Sequence, residues 1–432
     1  MADNLNIVVV GLGYVGIPLA VSLARTFDTT GLDINQARVD ELQGGQDRTE
    51  SVDPATLSAE KLSFTTDVSC IADADVVIVA VPTPVDDSNV PDMALLEAAT
   101  LTVGQQMSAG TTVIYESTVY PGATEDVCVP ILESASGQKS GEGFKVGYSP
   151  ERINPGDGEH SLRSVVKIIS AQDDEAMEIV ERVYSSVADA GLYKAKSIRV
   201  AEAAKVLENT QRDVNIALVN ELSVLFHRMG IETSDVLNAA GTKWNFQKYT
   251  PGLVGGHCIG VDPYYMSYAA SLHGLETEMV LAGRRINNSM SDFVVDEMIK
   301  ELSAAGIDPG SATVLVLGIT YKADVPDTRN SLVIPVLQEL AGKVGTLKVH
   351  DPLVGVQGFK FDVEELEASP FDLDTRYDAI ILAEPHRTLS ARSVPEMLGL
   401  LRDDTDGALF MDIKSTFDRA SFEDAGVRYW TL

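Results

Sequence analysis

Basic residues are scarce in this chain: 33 lysines and arginines face 64 aspartates and glutamates, a formal net charge of −31 over 432 residues. A field of that sign repels phosphate polymers and anionic lipid, which argues against nucleic acid or a membrane surface as partner. It also makes an anionic substrate awkward, so any phosphate site has to be built locally from glycines and a few cations. Cysteine is rarer still. Cys70, Cys128 and Cys258 are scattered and odd in number, which implies no disulfide framework. The six histidines are dispersed and pair with no cysteine at metal-ligand spacing, so no metal is expected. Long apolar runs are absent too, and stretches such as residues 76–81 are strand-sized, far short of a membrane span. The N-terminal stretch leads straight into a strand pattern without a charged n-region or cleavage site, so a cytoplasmic location is expected. At this length the chain needs two or three cores.

What is present begins with NIVVV at 6–10, a short β-branched run of the kind buried on both faces of a parallel sheet. GLGYVG follows at 11–16 and opens a helical pattern, and Asp33 ends a second strand about 20 residues on. A lone G-x-G-x-x-G says little, but with these flanks it is a dinucleotide fingerprint. Gly11 suits the tight turn, Gly13 the approach of the pyrophosphate, and Gly16 the packing of helix on strand. Amides at the helix N-terminus meet the phosphate charge. Asp33 can accept both ribose hydroxyls and would repel a 2′-phosphate, which favours NAD over NADP. Arg38 lies either near the adenine or in solvent.

Strands and helices keep alternating. VPTP, ESTVYPG and SPERINPGD each follow a strand, which puts Thr83, Thr118 and Glu151 at the carboxyl edge of one parallel sheet, where ligands bind in open α/β folds. Residues 200–229 then read as one unbroken helix of roughly 45 Å. Val206, Val214, Leu218, Leu222 and Leu225 form an apolar stripe along it. Beside them runs a polar stripe of Glu202, Lys205, Asn209, Asp213 and Asn220, either a solvated face or a surface against a cofactor or a partner helix. Two stripes call for two burial partners, and a homodimer through this helix is the expectation. Next comes PGLVGGHCIGVDPYY at 251–265, whose glycines make a poor helix and a poor strand. Such a loop can bring backbone close to a ligand while presenting one thiol, Cys258. A lone cysteine in a cytosolic chain is more often a small buried hydrophobe, and here the surroundings decide otherwise. His257 is set aside, because adjacent side chains in a loop rarely point together. A second long helical stretch follows at about 276–305. The α/β pattern then restarts at 313, with GITYKADVPDTRNS in place of the glycine fingerprint and with Lys322 and Arg329 as cations suited to a diphosphate. The expected fold is α/β. Two Rossmann-like, doubly wound domains are joined by a long central helix, with boundaries at 1–199, 200–305 and 306–432.

Taken in order, GLGYVG, VPTP, ESTVYPG, SPERINPG, the Lys205…Asn209 helix, GGHCIGVDPYY and GITYKADVPDTRNS make the chain similar over essentially its whole length to the nucleotide-sugar 6-dehydrogenases of the UDP-glucose dehydrogenase superfamily. ESTVYPG, SPERINPGD and GTKWNFQKYTPGLVGGHCIGVDPYY look most like the branch acting on UDP-N-acetylglucosamine or UDP-N-acetylgalactosamine. The resemblance implies a four-electron oxidation of the sugar C6 alcohol to a carboxylate with two NAD+, serving surface polysaccharide or glycan synthesis. It assigns Cys258 as the nucleophile holding a thiohemiacetal and then a thioester. Lys205, Asn209, Asp262 and Thr118 become a network positioning water and stabilising the oxyanion, and Glu151 serves substrate contact and thioester hydrolysis. On the cofactor side it adds Tyr14, Val15, Thr83, Thr118 and Arg329 to the glycines, Asp33 and Arg38. On the UDP-sugar side it places Glu151, Arg152, Lys205, Asn209, Tyr249, Gly252, Gly255 and Lys322.

The chemistry suits these residue types independently. An aldehyde cannot release its hydrogen with the bonding electrons until a nucleophile adds, which is work for a thiolate. An ammonium such as Lys205 favours the thiolate and, with an amide donor from Asn209, the oxyanion, and Asp262 suits a base for the hydrolytic water. UDP-glucose 6-dehydrogenase is the alternative within the class. A two-electron hydroxyacid dehydrogenase of similar plan would not need Cys258, and a non-catalytic dinucleotide-binding protein would bind NAD without turnover.

Overall fold

The computed structural model describes residues 5–59, 61–152, 162–402 and 407–432. The chain forms two compact units, residues 1–209 with 264–276, and residues 210–263 with 277–432. The stretch 200–305, read from sequence as a domain of its own, is thus shared between them.

The first unit is built on eight strands: β1 (Asn6–Val10), β2 (Asp28–Leu32), β3 (Leu62–Thr65), β4 (Val76–Val79), β5 (Thr112–Tyr115), β6 (Lys145–Tyr148), β7 (Lys167–Ala171) and β8 (Leu192–Lys194). Their order across the sheet is β3-β2-β1-β4-β5-β6-β7-β8. Neighbours run parallel except β6 and β7, which pair antiparallel with Gly147 opposite Ala171 and Tyr148 opposite Ser170. Helices cover both faces, so β4 and β5 are buried along their whole length, as their continuous apolar runs require. Ile7, Val9, Val76, Ile78 and Ile114 pack with Leu19, Leu23 and Val180 from the helices on one face.

The second unit carries six parallel strands, β9 (Thr313–Leu317), β10 (Thr346–His350), β11 (Glu364–Glu365), β12 (Ala379–Leu382), β13 (Leu409–Asp412) and β14 (Arg428–Thr431), in the order β11-β10-β9-β12-β13-β14. The order reverses at β9–β12 as it does at β1–β4 in the first sheet, which makes each a doubly wound, Rossmann-like fold. Met290, Val294, Met298 and Leu302 of the Glu278–Ala304 helix pack against Val314, Val316 and Ile381 of this sheet.

The long helix spans Ile198–Met229, 32 residues, and the chain passes from one unit to the other within it. Its polar stripe is largely buried, and its apolar stripe is buried at Val206 but exposed farther along. Glu202, Lys205, Asp213 and Asn220 are buried, whereas Leu218 is 55% and Leu225 47% exposed. The solvated reading of the polar stripe is therefore corrected: each of those side chains lies inside the chain's own fold. Among the described residues no helix is long and apolar enough to cross a membrane.

Candidate active site

The first unit presents its candidates at the carboxyl edge of its sheet. After β1 the backbone turns at Gly11, whose N–H donates to Leu32 O at 2.8 Å. Asp33, just past β2, accepts from the amides of Leu12 and Asn35, both at 2.9 Å, so the acid is aimed by the turn that it closes. A Cβ on Gly16 would sit 1.8 Å from Gly11 O, so no other residue lets the Gly16–Leu23 helix start so close to the strand. A Cβ on Gly13 would meet nothing within 4 Å, which leaves that side of the loop open to a phosphate pair. Tyr14 and Val15, partly exposed, precede the helix. These features fit a dinucleotide.

Arg38 is a correction to the solvated alternative. It is only 5% exposed, its Nε donates to Leu12 O at 2.9 Å, and its Nη atoms pair with Glu41 and Asp47, both at 2.7 Å. Its visible work is to hold the glycine turn from beneath.

Farther along the edge, Thr83 Oγ1 donates to Thr118 O at 2.6 Å, and the buried Tyr265 hydroxyl donates to Thr83 O at 2.8 Å. Glu202 on the long helix accepts from Gly122 N at 2.6 Å and Thr124 N at 3.0 Å, tying the loop after Thr118 to the helix that carries Lys205 and Asn209. Burial raises the Glu202 carboxyl above its usual pKa against the pull of Thr124 and those amides. Glu151 is buried three residues past β6. Arg152 gives its guanidinium to Glu208 at 2.8 Å and to Val166 O at 2.7 Å, so direct contact with a substrate would require those bonds to open. Of the SPERINPG motif, residues 153–156 lie outside the described residues, as does Asp157 of its extension.

In the second unit the two motifs that sequence sets 65 or so residues apart lie against each other. Gly256 N donates to Asn330 O at 3.2 Å. A Cβ on Gly255 would fall 2.1 Å from that same carbonyl, and one on Gly256, at φ +89°, would fall 2.6 Å from the Tyr321 ring. His257 turns edge-on to Tyr321, with ring centroids 5.7 Å apart, and its Nε2 is 3.6 Å from Asp327, which in turn pairs with Arg329 at 2.7 Å. Burial and the Arg329 charge hold the imidazole below its usual pKa, against the pull of Asp327. This histidine braces the loop, and Cys258 follows it. Cys258 O accepts from Asp262 N at 2.8 Å, closing one turn into the Asp262–Leu272 helix, and Asp262 is 1% exposed.

Asn220 anchors the other end of the cysteine loop. Its amide donates to Gly252 O at 3.1 Å and accepts from Gly252 N at 2.8 Å. Asn287 accepts from Asn220 at 2.8 Å and donates to Asp213, and Arg284 pairs with Asp213 at 2.6 Å. The polar stripe had no visible partner in sequence because Arg284 and Asn287 lie some 70 residues away on another helix. Tyr249 accepts from Gln211 at 2.8 Å. Lys322 stands in the loop that receives the cysteine segment, partly buried.

Three family models match in sequence order: the UDP-glucose/GDP-mannose dehydrogenase family NAD binding domain over residues 5–188, its central domain over 199–289 and its UDP binding domain over 315–419. Protein CapL of Staphylococcus aureus is 48% identical, covering 99% of this chain and all of that protein. A UDP-N-acetyl-D-glucosamine 6-dehydrogenase of Pseudomonas aeruginosa is 48% identical over 89% of this chain and 91% of its own. Among solved structures, a UDP-D-ManNAc dehydrogenase of Pyrococcus horikoshii superposes with a TM-score of 0.88 at 29% identity, covering 99% of both chains. With models matched in all three segments and these relatives, the chain belongs to the UDP-glucose/GDP-mannose dehydrogenase family and is an NAD-dependent UDP-sugar dehydrogenase.

Proposed function

We propose that the chain oxidises the C6 alcohol of UDP-N-acetylglucosamine, or of its galacto epimer, to the carboxylate in two two-electron steps. The cysteine loop carries the reaction: a thiol on a glycine-rich segment, anchored by Asn220 at one end and braced by His257 beside it, is built for covalent capture. The substrate rests on the Pseudomonas aeruginosa relative, 48% identical, whose name specifies that sugar.

Asp33 and the 11–16 turn would hold the cofactor, which accepts the electron pair at each oxidation. Lys322 and Arg329 would meet the diphosphate of the substrate and the cofactor phosphates, respectively. Once the alcohol has become an aldehyde, the Cys258 thiolate adds to the carbonyl carbon. The resulting oxyanion is stabilised by the Lys205 ammonium and the Asn209 amide. Oxidation of this thiohemiacetal leaves a thioester. Water, deprotonated by Asp262 and placed with help from Thr118 and Glu151, attacks it, releasing carboxylate and returning the proton to sulfur.

A panel of UDP-sugars with the unmodified protein and Cys258→Ala tests this. The variant is expected to bind UDP-sugar and NAD+ as before and to lose the second oxidation by orders of magnitude, while Cys70→Ala and Cys128→Ala stay near normal. Uronic acid made by Cys258→Ala at near-normal rate would end the covalent mechanism. A kcat/KM for UDP-glucose tenfold above both N-acetylhexosamine substrates, about 1.4 kcal/mol in transition-state binding, would reassign the substrate.

The working assembly is proposed as a homodimer through the long helix. Leu207, Leu218, Leu222, Leu225 and Met229 follow helical spacing, and each is at least 36% exposed. A second copy of the same stripe is the simplest cover that closes by two-fold symmetry. Leu218→Glu with Leu225→Glu should give monomers by light scattering; an unmodified protein that is monomeric at micromolar concentration would refute it.

A further inference from the structure

A buried ion cluster lies behind Glu151, and none of the roles above uses its other members. Glu116 follows β5 directly, and Glu151 lies three residues past β6, both at the carboxyl edge. Because β7 runs antiparallel to β6, its first residue, Lys167, returns to that same edge. Lys167 Nζ lies 2.9 Å from Glu116 Oε1 and 3.8 Å from Glu151 Oε2, and it donates to Pro150 O at 2.9 Å. Lys167 is 2% exposed and Glu116 is fully buried. The ammonium also lies 5.3 Å from the centroid of the Tyr184 ring.

A fold has little reason to bury one ammonium between two carboxylates, since apolar side chains of similar volume stabilise a core as well or better. What such a cluster does supply is a fixed orientation and a set charge at the carboxylate nearest the chemistry. We propose that Lys167 and Glu116 are positioning residues for Glu151: Lys167 clamps the Pro150 carbonyl and the Glu151 carboxylate, and Glu116 competes for the same ammonium. This rests on Glu151 acting at the thioester, as read above.

Among the described residues, the charged or titratable groups around the cluster include Glu116, Glu151, Lys167, Tyr184 and Arg152, the last through its own backbone N–H bonded to Glu151 at 2.6 Å. Burial raises the Glu116 carboxyl above its usual pKa, Lys167 pulls it down and Glu151 pushes it up, as expected for two acids sharing one cation. Removing the competitor should leave more of the ammonium's field to Glu151. Removing the ammonium should do the reverse.

The test is the pH dependence of kcat in the full-length protein and its Glu116→Gln, Lys167→Met, Lys167→Arg and Glu151→Gln variants, with folding checked by circular dichroism. The acid limb should move down by about one pH unit in Glu116→Gln and up by about one in Lys167→Met, with Lys167→Arg near the unmodified profile. A purely structural cluster would lower the rate at all pH values without moving the limb. If Lys167→Met fails to fold, the downward shift in the near-isosteric Glu116→Gln decides alone. A limb that stays in place, or moves the same way in both, overturns the proposal. Glu151→Gln separates the two readings. Full activity there removes the role of Glu151 itself, whereas loss of activity with an unmoved limb removes only the positioning pair.

Discussion

After β1, Gly11 N–H donates to Leu32 O at 2.8 Å, and Asp33 accepts from Leu12 N and Asn35 N, both at 2.9 Å. After β9, Gly318 N–H donates to His350 O at 3.0 Å, and Asp351 accepts from Ile319 N at 2.7 Å and Leu353 N at 2.8 Å. The two turns share these three bonds, yet they offer different surfaces. Among the described residues Asp33 bonds only backbone amides. Asp351 also accepts from Val354 N at 3.2 Å and meets a side chain, His386 Nε2 at 3.0 Å, and its own side chain is wholly buried. His386 Nδ1 accepts from Asp324 N at 2.9 Å, which fixes the ring with Nε2 facing Asp351. A ribose reaching Asp351 would have to displace an imidazole; one reaching Asp33 would not. The strand–turn–acid scaffold is therefore not itself a dinucleotide site. In the second unit the corresponding acid is covered by an imidazole, and in the first it is not.

The largest break in this comparison should come from Gly16→Ala. Its Cβ would collide with Gly11 O, and the strain should fall on the NAD turn alone. NAD+ affinity should drop on the order of 100-fold by calorimetry, about 3 kcal/mol, while UDP affinity holds within about twofold. Equal losses of both ligands would mean that the turn is not a local device.

Asp33→Ala should cost less, about tenfold in NAD+ affinity, and should narrow the advantage over NADP+. Asp351→Ala is the paired control and should leave NAD+ affinity unchanged. Equal use of both cofactors by the unmodified protein would refute the role given to Asp33.

Much of this was legible before the structure. The NAD turn announces itself through three signals at fixed spacing, and the long helix through a run without glycine or proline; its expected start at 200 is two residues from the observed Ile198. Which of its faces is buried was not legible. Periodicity says that two faces differ, but the partners of Asp213 and Asn220 are supplied by Arg284, Asn287 and Gly252, through contacts that no local pattern encodes. The return of Lys167 was hidden for a related reason. KIISA reads as any strand, and its direction is a property of the sheet. His386 is a single residue 35 positions from the acid it covers.

The smallest effect expected is a pH signature of the covered acid. Burial works to raise the Asp351 carboxyl, but the His386 bond and the Ile319 and Leu353 amides outweigh it and hold it below its ordinary 3.8. A depressed carboxylate contributes stability that is present above its unfolded pKa and lost as pH falls through the folded one. Asp351→Asn should therefore be less stable by about 1 kcal/mol at neutral pH, and the gap should close as pH drops below 3.8. A gap that stays constant down to acid unfolding would show that the charge at Asp351 is not what His386 stabilises.

The reaction itself is tested most directly by counting NADH at 340 nm against UDP-N-acetylglucosamine consumed, with the product identified by mass. Two NADH per sugar and a uronic acid are predicted, because the proposed Cys258 thiohemiacetal would hold the aldehyde for the second oxidation. One NADH per sugar, with an aldehyde as the end product, would contradict the account.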